Sequence, residues 1–115
     1  KDSAGNVIRW GFGNFADEQV LFWSFLWQFG GEIFDKELTR CTANSEAGVK
    51  AMQSLYDLVF KYKVASSSGG AFDSSRTGKL SMFMSGTWWL MGLKAQKGLN
   101  FGLGLFPTWG KKRAV

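Results

Sequence analysis

The chain's 115 residues amount to one domain's worth of protein, with 14 Lys and Arg against nine Asp and Glu and a formal charge of +5. With no His and one Cys, Cys41, it excludes a His general base, a His metal ligand, a Ser-His-Asp triad, an internal disulfide and a Cys-x-x-Cys site. Hydrophobic residues at 45% against 20% charged make the chain globular, and six Trp, 11 Phe and two Tyr make it unusually aromatic.

Val7 to Phe12 alternates, with Ile8, Trp10 and Phe12 on one face, and predicts a strand. After a turn at Gly13-Asn14-Phe15, Asp17 and Glu18 open a helix, where carboxylates suit the positive end of the dipole. It runs to Phe29 and is mostly apolar, with Asp17, Ser24 and Gln28 as a narrow solvent-facing stripe. Its apolar run, Val20 to Phe29, falls short of the roughly 20 residues of a membrane span. Gly30-Gly31 supplies a left-handed stop. Glu32 to Cys41 reads as a short extended stretch or hairpin, with Cys41 as a small apolar residue.

Asn44 or Ser45 caps the second long helix, and Glu46 sits in its first turn. Val49, Met52, Leu55, Tyr56, Val59 and Phe60 form its apolar stripe, and Glu46 with Lys50 and Asp57 with Lys61 are favourable i,i+4 pairs. Ser66 to Gly70 is a loop and Ala71 to Thr77 a short helix. Leu80 to Met84 is a strand, Gly86 turns the chain, and Thr87 caps a helix from Trp88 to Lys97 that Gly98 stops. Asn100 to Phe106 is a last strand, with Phe101, Leu103 and Leu105 on one face. Gly102 and Gly104 on the other suggest a close neighbour.

Strand, helix and strand alternate at both ends of the chain, which predicts an α/β fold with right-handed crossovers. The sheet is thin for such apolar helices, and the apolar residues outnumber what the chain can cover. Lys1 opens the chain with no apolar leader region, and Val115 follows Lys111-Lys112-Arg113 with no closing element, so both ends read as cut.

The order of landmarks resembles the extracellular solute-binding proteins of ABC importers, in the sugar-binding branch that includes maltose-binding protein. It starts with an apolar helix ending in Gly30-Gly31, then Asp35, then the helix ending Leu55-Tyr56-Asp57-Leu58-Val59-Phe60-Lys61-Tyr62-Lys63-Val64. Phe72, the run Gly78 to Trp88, Phe101-Gly102-Leu103-Gly104 and Phe106-Pro107-Thr108 complete it. The family often has Pro where this chain has Thr87, and Phe15 to Gln19 matches only in outline. The resemblance implies two α/β lobes hinged around a ligand, of which residues 1–115 supply part of the C-terminal-type lobe. It implies no cofactor and no catalysis. It also implies a mono- or oligosaccharide ligand, ABC permease subunits as partners, and an extracytoplasmic place, periplasmic or lipid-anchored at the cell surface.

In open α/β sheets, ligands sit outside the carboxyl ends of the strands. Gly13 to Glu18, Gly86 to Trp89 and Pro107 to Trp109 leave strands in that sense. Trp88, after Gly86 at a helix start, matches the family's sugar-stacking Trp; a flat indole can cover the apolar face of a pyranose. From position alone a core Trp at a helix start is the simpler reading. Asp17 and Glu18 can accept hydrogen bonds from sugar hydroxyls, or simply serve the helix dipole. Adjacent on the chain, they are poor candidates for a glycosidase pair standing about 5 to 9.5 Å apart. Trp109 can line the cleft mouth, and Asn14 and Phe15 are weaker loop candidates. Trp89, Trp23, Trp27 and Trp10 read as core.

Nucleic acid is not an expected partner, because the basic residues are scattered from Arg9 to Arg113 and most aromatics fall on buried stripes. Gly11-Phe12-Gly13 lacks the third glycine of a dinucleotide loop. A carbohydrate-active enzyme domain and an interaction or scaffold domain are the alternative readings. Without a second lobe the isolated chain is expected to expose an apolar patch and self-associate.

Overall fold

The computed structural model describes residues 1–13, 19–66 and 71–108, of which 71–73 by their backbone only. Its elements are β1 (Trp10–Gly13), α1 (Gln19–Gln28), α2 (Glu46–Tyr56), α3 (Ala71–Arg76), β2 (Leu80–Phe83) and α4 (Leu90–Lys94). A π-helical turn, Asp57–Lys61, extends α2, and a 3-10 turn, Thr87–Trp89, leads into α4. The Tyr62 N–H donating to Asp57 O at 2.7 Å closes the wider π ring.

β1 and β2 pair in parallel, with Trp10 opposite Leu80, Phe12 opposite Met82 and Gly13 opposite Phe83. On its other side β1 meets a parallel bridge from Ala65, and Val64 O accepts from Gly11 and Phe12 N–H at 3.1 and 3.0 Å. The α/β class and the parallel pairing agree with the sequence. α1 and α2 cover the sheet through a core of Leu21, Phe25, Leu26, Ala51, Leu55 and Leu80, against which Trp10, Phe83, Trp89 and Phe106 pack.

Local signals behave as expected. Gly30 takes φ +81° and stops α1. Ser45 caps α2, its Oγ accepting from Gly48 N–H at 3.3 Å. Ser45→Ala should therefore cost about 1 kcal/mol in a urea melt, with Ser45→Gly costing only a few tenths. Glu46–Lys50 at 2.6 Å and Asp57–Lys61 at 3.6 Å form as predicted. The 32–41 stretch is a hairpin with one antiparallel bridge, Phe34 to Cys41. The Asp35 carboxylate organises its turn, accepting from Thr39 N–H at 2.8 Å, Arg40 N–H at 3.2 Å and Thr39 Oγ1 at 2.9 Å. Partial desolvation pushes this carboxyl up, and the donors outweigh it, holding the group below the ordinary carboxylate value.

Five expectations are corrected. Ser24 and Gln28 do not face solvent: each is 3% exposed. Ser24 Oγ donates back to Val20 O at 2.7 Å, and Gln28 Nε2 donates to Pro107 O at 3.1 Å, so both amphiphilic side chains are satisfied inside. The α2 stripe is only partly core: its Leu55 is buried, with Ala51, but Val49, Met52, Tyr56 and Phe60 are each more than half exposed. Thr87 caps nothing: Gly86 holds the N-cap position with no side-chain bond, and the helix begins as a tighter 3-10 turn and ends at Lys94.

Asn100 to Phe106 is irregular rather than a strand, since no described segment pairs with it; Leu103 and Leu105 stand exposed and nothing comes within 4 Å of a Cβ built on Gly102 or Gly104. Cys41 is exposed rather than packed. The surplus of apolar surface is plain: Leu38, Met91, Leu103 and Leu105 are each more than three-quarters exposed.

Candidate functional site

Parallel pairing brings the carboxyl ends of β1 and β2 side by side, because Gly13 and Phe83 are register partners. The chain leaving β2 passes Met84 and Ser85 to Gly86 and turns into Thr87–Trp89. Of the sheet-edge candidates, Gly86 and Trp88 fall within the described residues. Asp17, Glu18 and Trp109, with Asn14 and Phe15, lie outside them.

The two adjacent indoles at this edge part company. Trp89 turns inward, its ring 5.6 Å from that of Phe83 and packed on the core. Trp88 turns outward and is 63% exposed. The outer edge of its six-membered ring comes close to Gly86: a Cβ on Gly86 would fall on Trp88 Cζ3, Cη2 and Cε3. The missing side chain at 86 is thus what leaves room for the indole against its own turn, while most of the Trp88 side chain stays open to solvent. An exposed indole held close to its own turn offers an apolar surface on which a flat, C–H-lined ligand can stack.

Because the obstructing atoms belong to a side chain, Gly86→Ala should move the ring rather than unfold the chain. The expected result is unchanged far-ultraviolet dichroism with a shifted tryptophan emission and near-ultraviolet signal. An emission spectrum identical to that of the parent chain would mean that the ring does not rest on Gly86.

The third expected edge segment is placed differently. Phe106 meets Phe25 edge-on at 6.5 Å, and Pro107 O is held by Gln28, so 106–107 is pinned to α1 instead of leaving a strand. Trp23 and Trp27 are half-buried on α1 with ring centroids 6.4 Å apart. Among the described residues no three His, Cys, Asp or Glu side chains gather as a metal site. Two shallow hollows lie elsewhere, one between Gly30-Gly31 and the start of α2, the other along Phe22, Val49, Met52 and Tyr56. Neither includes Gly86 or Trp88.

The Gly86–Trp88 approach was not legible in the sequence as a contact, although Gly two residues before Trp at a turn is the signal that permits it.

No family model and no curated protein matches the chain. A solved structure does: an ABC substrate-binding protein of Listeria monocytogenes in complex with cycloalternan, at 26% identity and a TM-score of 0.69, over 84% of this chain. The chain has the fold of a piece of an ABC substrate-binding protein. It spans 26% of that protein's length. The matched protein is a binding protein by its description, and the likeness reaches the substrate-binding fold without singling out the maltose-binding branch. Among the described residues no helix is long and apolar enough to cross a membrane.

Proposed function

We propose that the chain is part of the sugar-binding component of an ABC importer, with Trp88 as a stacking platform for a mono- or oligosaccharide. The observation that carries this reading is the exposed Trp88 indole, held close to Gly86 at the carboxyl edge of a parallel sheet. The likeness to a protein solved with cycloalternan supports a carbohydrate as the ligand class. Residues 1–115 would form part of one lobe of a two-lobed, maltose-binding-protein-like molecule, with the ligand held between lobes. Asp17, Glu18 and Trp109 would complete the ligand contacts, the carboxylates by accepting from sugar hydroxyls.

The role is capture and delivery, not catalysis. A sugar binding the closed arrangement better than the open one would draw the lobes together, and the closed form would be what a permease recognises. Such a protein works outside the cytoplasm, in a periplasm or tethered at the cell surface.

The test is titration of oligosaccharides into the full-length protein while tryptophan emission is followed. Aromatic stacking beyond area burial is worth about 0.5–1.5 kcal/mol, and the indole's buried area adds to it. Trp88→Ala should therefore weaken binding at least about tenfold, with Trp88→Phe intermediate. An affinity for every sugar within about 0.5 kcal/mol of the parent would remove the stacking role.

A further inference from the structure

The charge of this chain is divided along its length. All nine carboxylates lie within the first 73 residues, whereas residues 74–115 carry seven Lys and Arg and no Asp or Glu. Counting only the basic residues, which are scattered, hides this division. The fold gathers part of the basic third into one face. Arg76 closes α3, and its Nε and Nη2 both donate to Gln96 Oε1 at 3.4 and 3.3 Å, which ties the end of α3 to the turn just after α4. Lys94 closes α4, Lys97 follows Gln96, and Lys79 follows Arg76 by three residues; all are exposed. Met91, 76% exposed, lies one helical turn before Lys94 and so shares its side of α4.

The cations of α2 and its π-helical turn are treated differently. Lys50 and Lys61 are answered in place by Glu46 and Asp57. Among the described residues Lys79, Lys94 and Lys97 form no ion pair.

We propose that this α3–α4 face docks the chain on an anionic lipid bilayer. Charge complementarity carries the choice: Asp73 in α3 is the last carboxylate of the chain, and every charged residue after it is a cation. A surface in which cations predominate is attracted to a uniformly negative one, each cation near it raising partition roughly fivefold. The cations are mainly lysines, point charges on flexible stems, which suit a diffuse layer of headgroups better than the fixed carboxylate pairs of a protein partner. Met91 beside them is an adaptable apolar side chain that can enter the interface. The inference uses a different set of residues from the sugar platform and does not depend on sugar binding.

The experiment is co-sedimentation of the chain with phosphatidylglycerol vesicles and with phosphatidylcholine vesicles, each over a range of salt, with far-ultraviolet dichroism confirming that variants fold. Binding to the anionic vesicles alone, weakening as salt rises, is expected. Lys94→Glu with Lys97→Glu should lower that partition at least about tenfold. Lys36→Glu with Lys63→Glu removes the same charge elsewhere and should lower it less than about threefold. Absence of binding to phosphatidylglycerol, or equal losses in the two double variants, would overturn the proposal. Capture on immobilised polyglutamate without vesicle binding would overturn it too, assigning the face to an acidic protein.

Discussion

Leu26→Ala should remove about 2–5 kcal/mol of stability. Among the described residues Leu26 is the largest side chain that is fully enclosed, at 0% exposure, and it sits where three parts of the fold meet. Its Cδ1 lies against both Gly31, just past the end of α1, and Gly48 in α2, and a Cβ on Gly31 would collide with it. Neighbours held by backbone geometry this close cannot collapse into the space that truncation leaves, so the cavity term adds to the lost transfer energy. A domain of this size has only about 5–15 kcal/mol in total. With so much apolar surface exposed, this chain should stand near the lower end. Urea denaturation should show the midpoint fall steeply at constant slope. Leu105→Ala, at a side chain 99% exposed, should leave it within about 0.5 kcal/mol of the parent. A Leu26→Ala melt matching that of Leu105→Ala would mean that α1 does not pack as described.

The features that could be read in the sequence are those decided within a few residues. Gly30 as a stop, Ser45 as a cap and the Glu46–Lys50 pair depend on neighbours three or four positions away. Alternation and spacing also located the two paired strands to within a few residues. What could not be read depends on distant partners. Helical periodicity shows that Val49, Met52, Tyr56 and Phe60 lie on one side of α2, but not whether anything covers them; in this chain each is left more than half exposed.

The 100–106 segment has the alternation of a strand, yet a strand exists only where another backbone takes its hydrogen bonds. Ser24 and Gln28 look like surface because they are polar. Their acceptors are Val20 O, within the helix, and Pro107 O, 79 positions along the chain, which no local pattern reveals. At the site, the fate of two adjacent tryptophans turns on rotation by one residue about a 3-10 turn: Trp89 onto Phe83, Trp88 onto Gly86.

Gly48→Ala is the substitution on which local and tertiary arguments disagree most sharply. Within a helix, replacing Gly by Ala gains about 1 kcal/mol, since Ala loses less backbone freedom and hides more of the chain. Gly48 lies in the first turn of α2, is buried, and gives its N–H to Ser45 Oγ. A Cβ there would run into the carbonyl oxygen of Ala43, with Leu26 Cδ1 3.8 Å away on another side. The Ala43 oxygen is backbone, fixed just before the Ser45 cap, and cannot swing aside as the end of a long side chain would. Relief requires moving the start of α2 away from Ala43, which disturbs the cap and the Leu26 contact together. Overpacking of this kind costs about 3 kcal/mol at its severe end, so the clash should outweigh the propensity gain by about 2 kcal/mol. Gly102→Ala, where a Cβ meets nothing within 4 Å, should stay within about 0.5 kcal/mol of the parent. If Gly48→Ala instead raised the urea midpoint, helix propensity would have prevailed, and the chain before α2 would have to run farther from Gly48 than it does here.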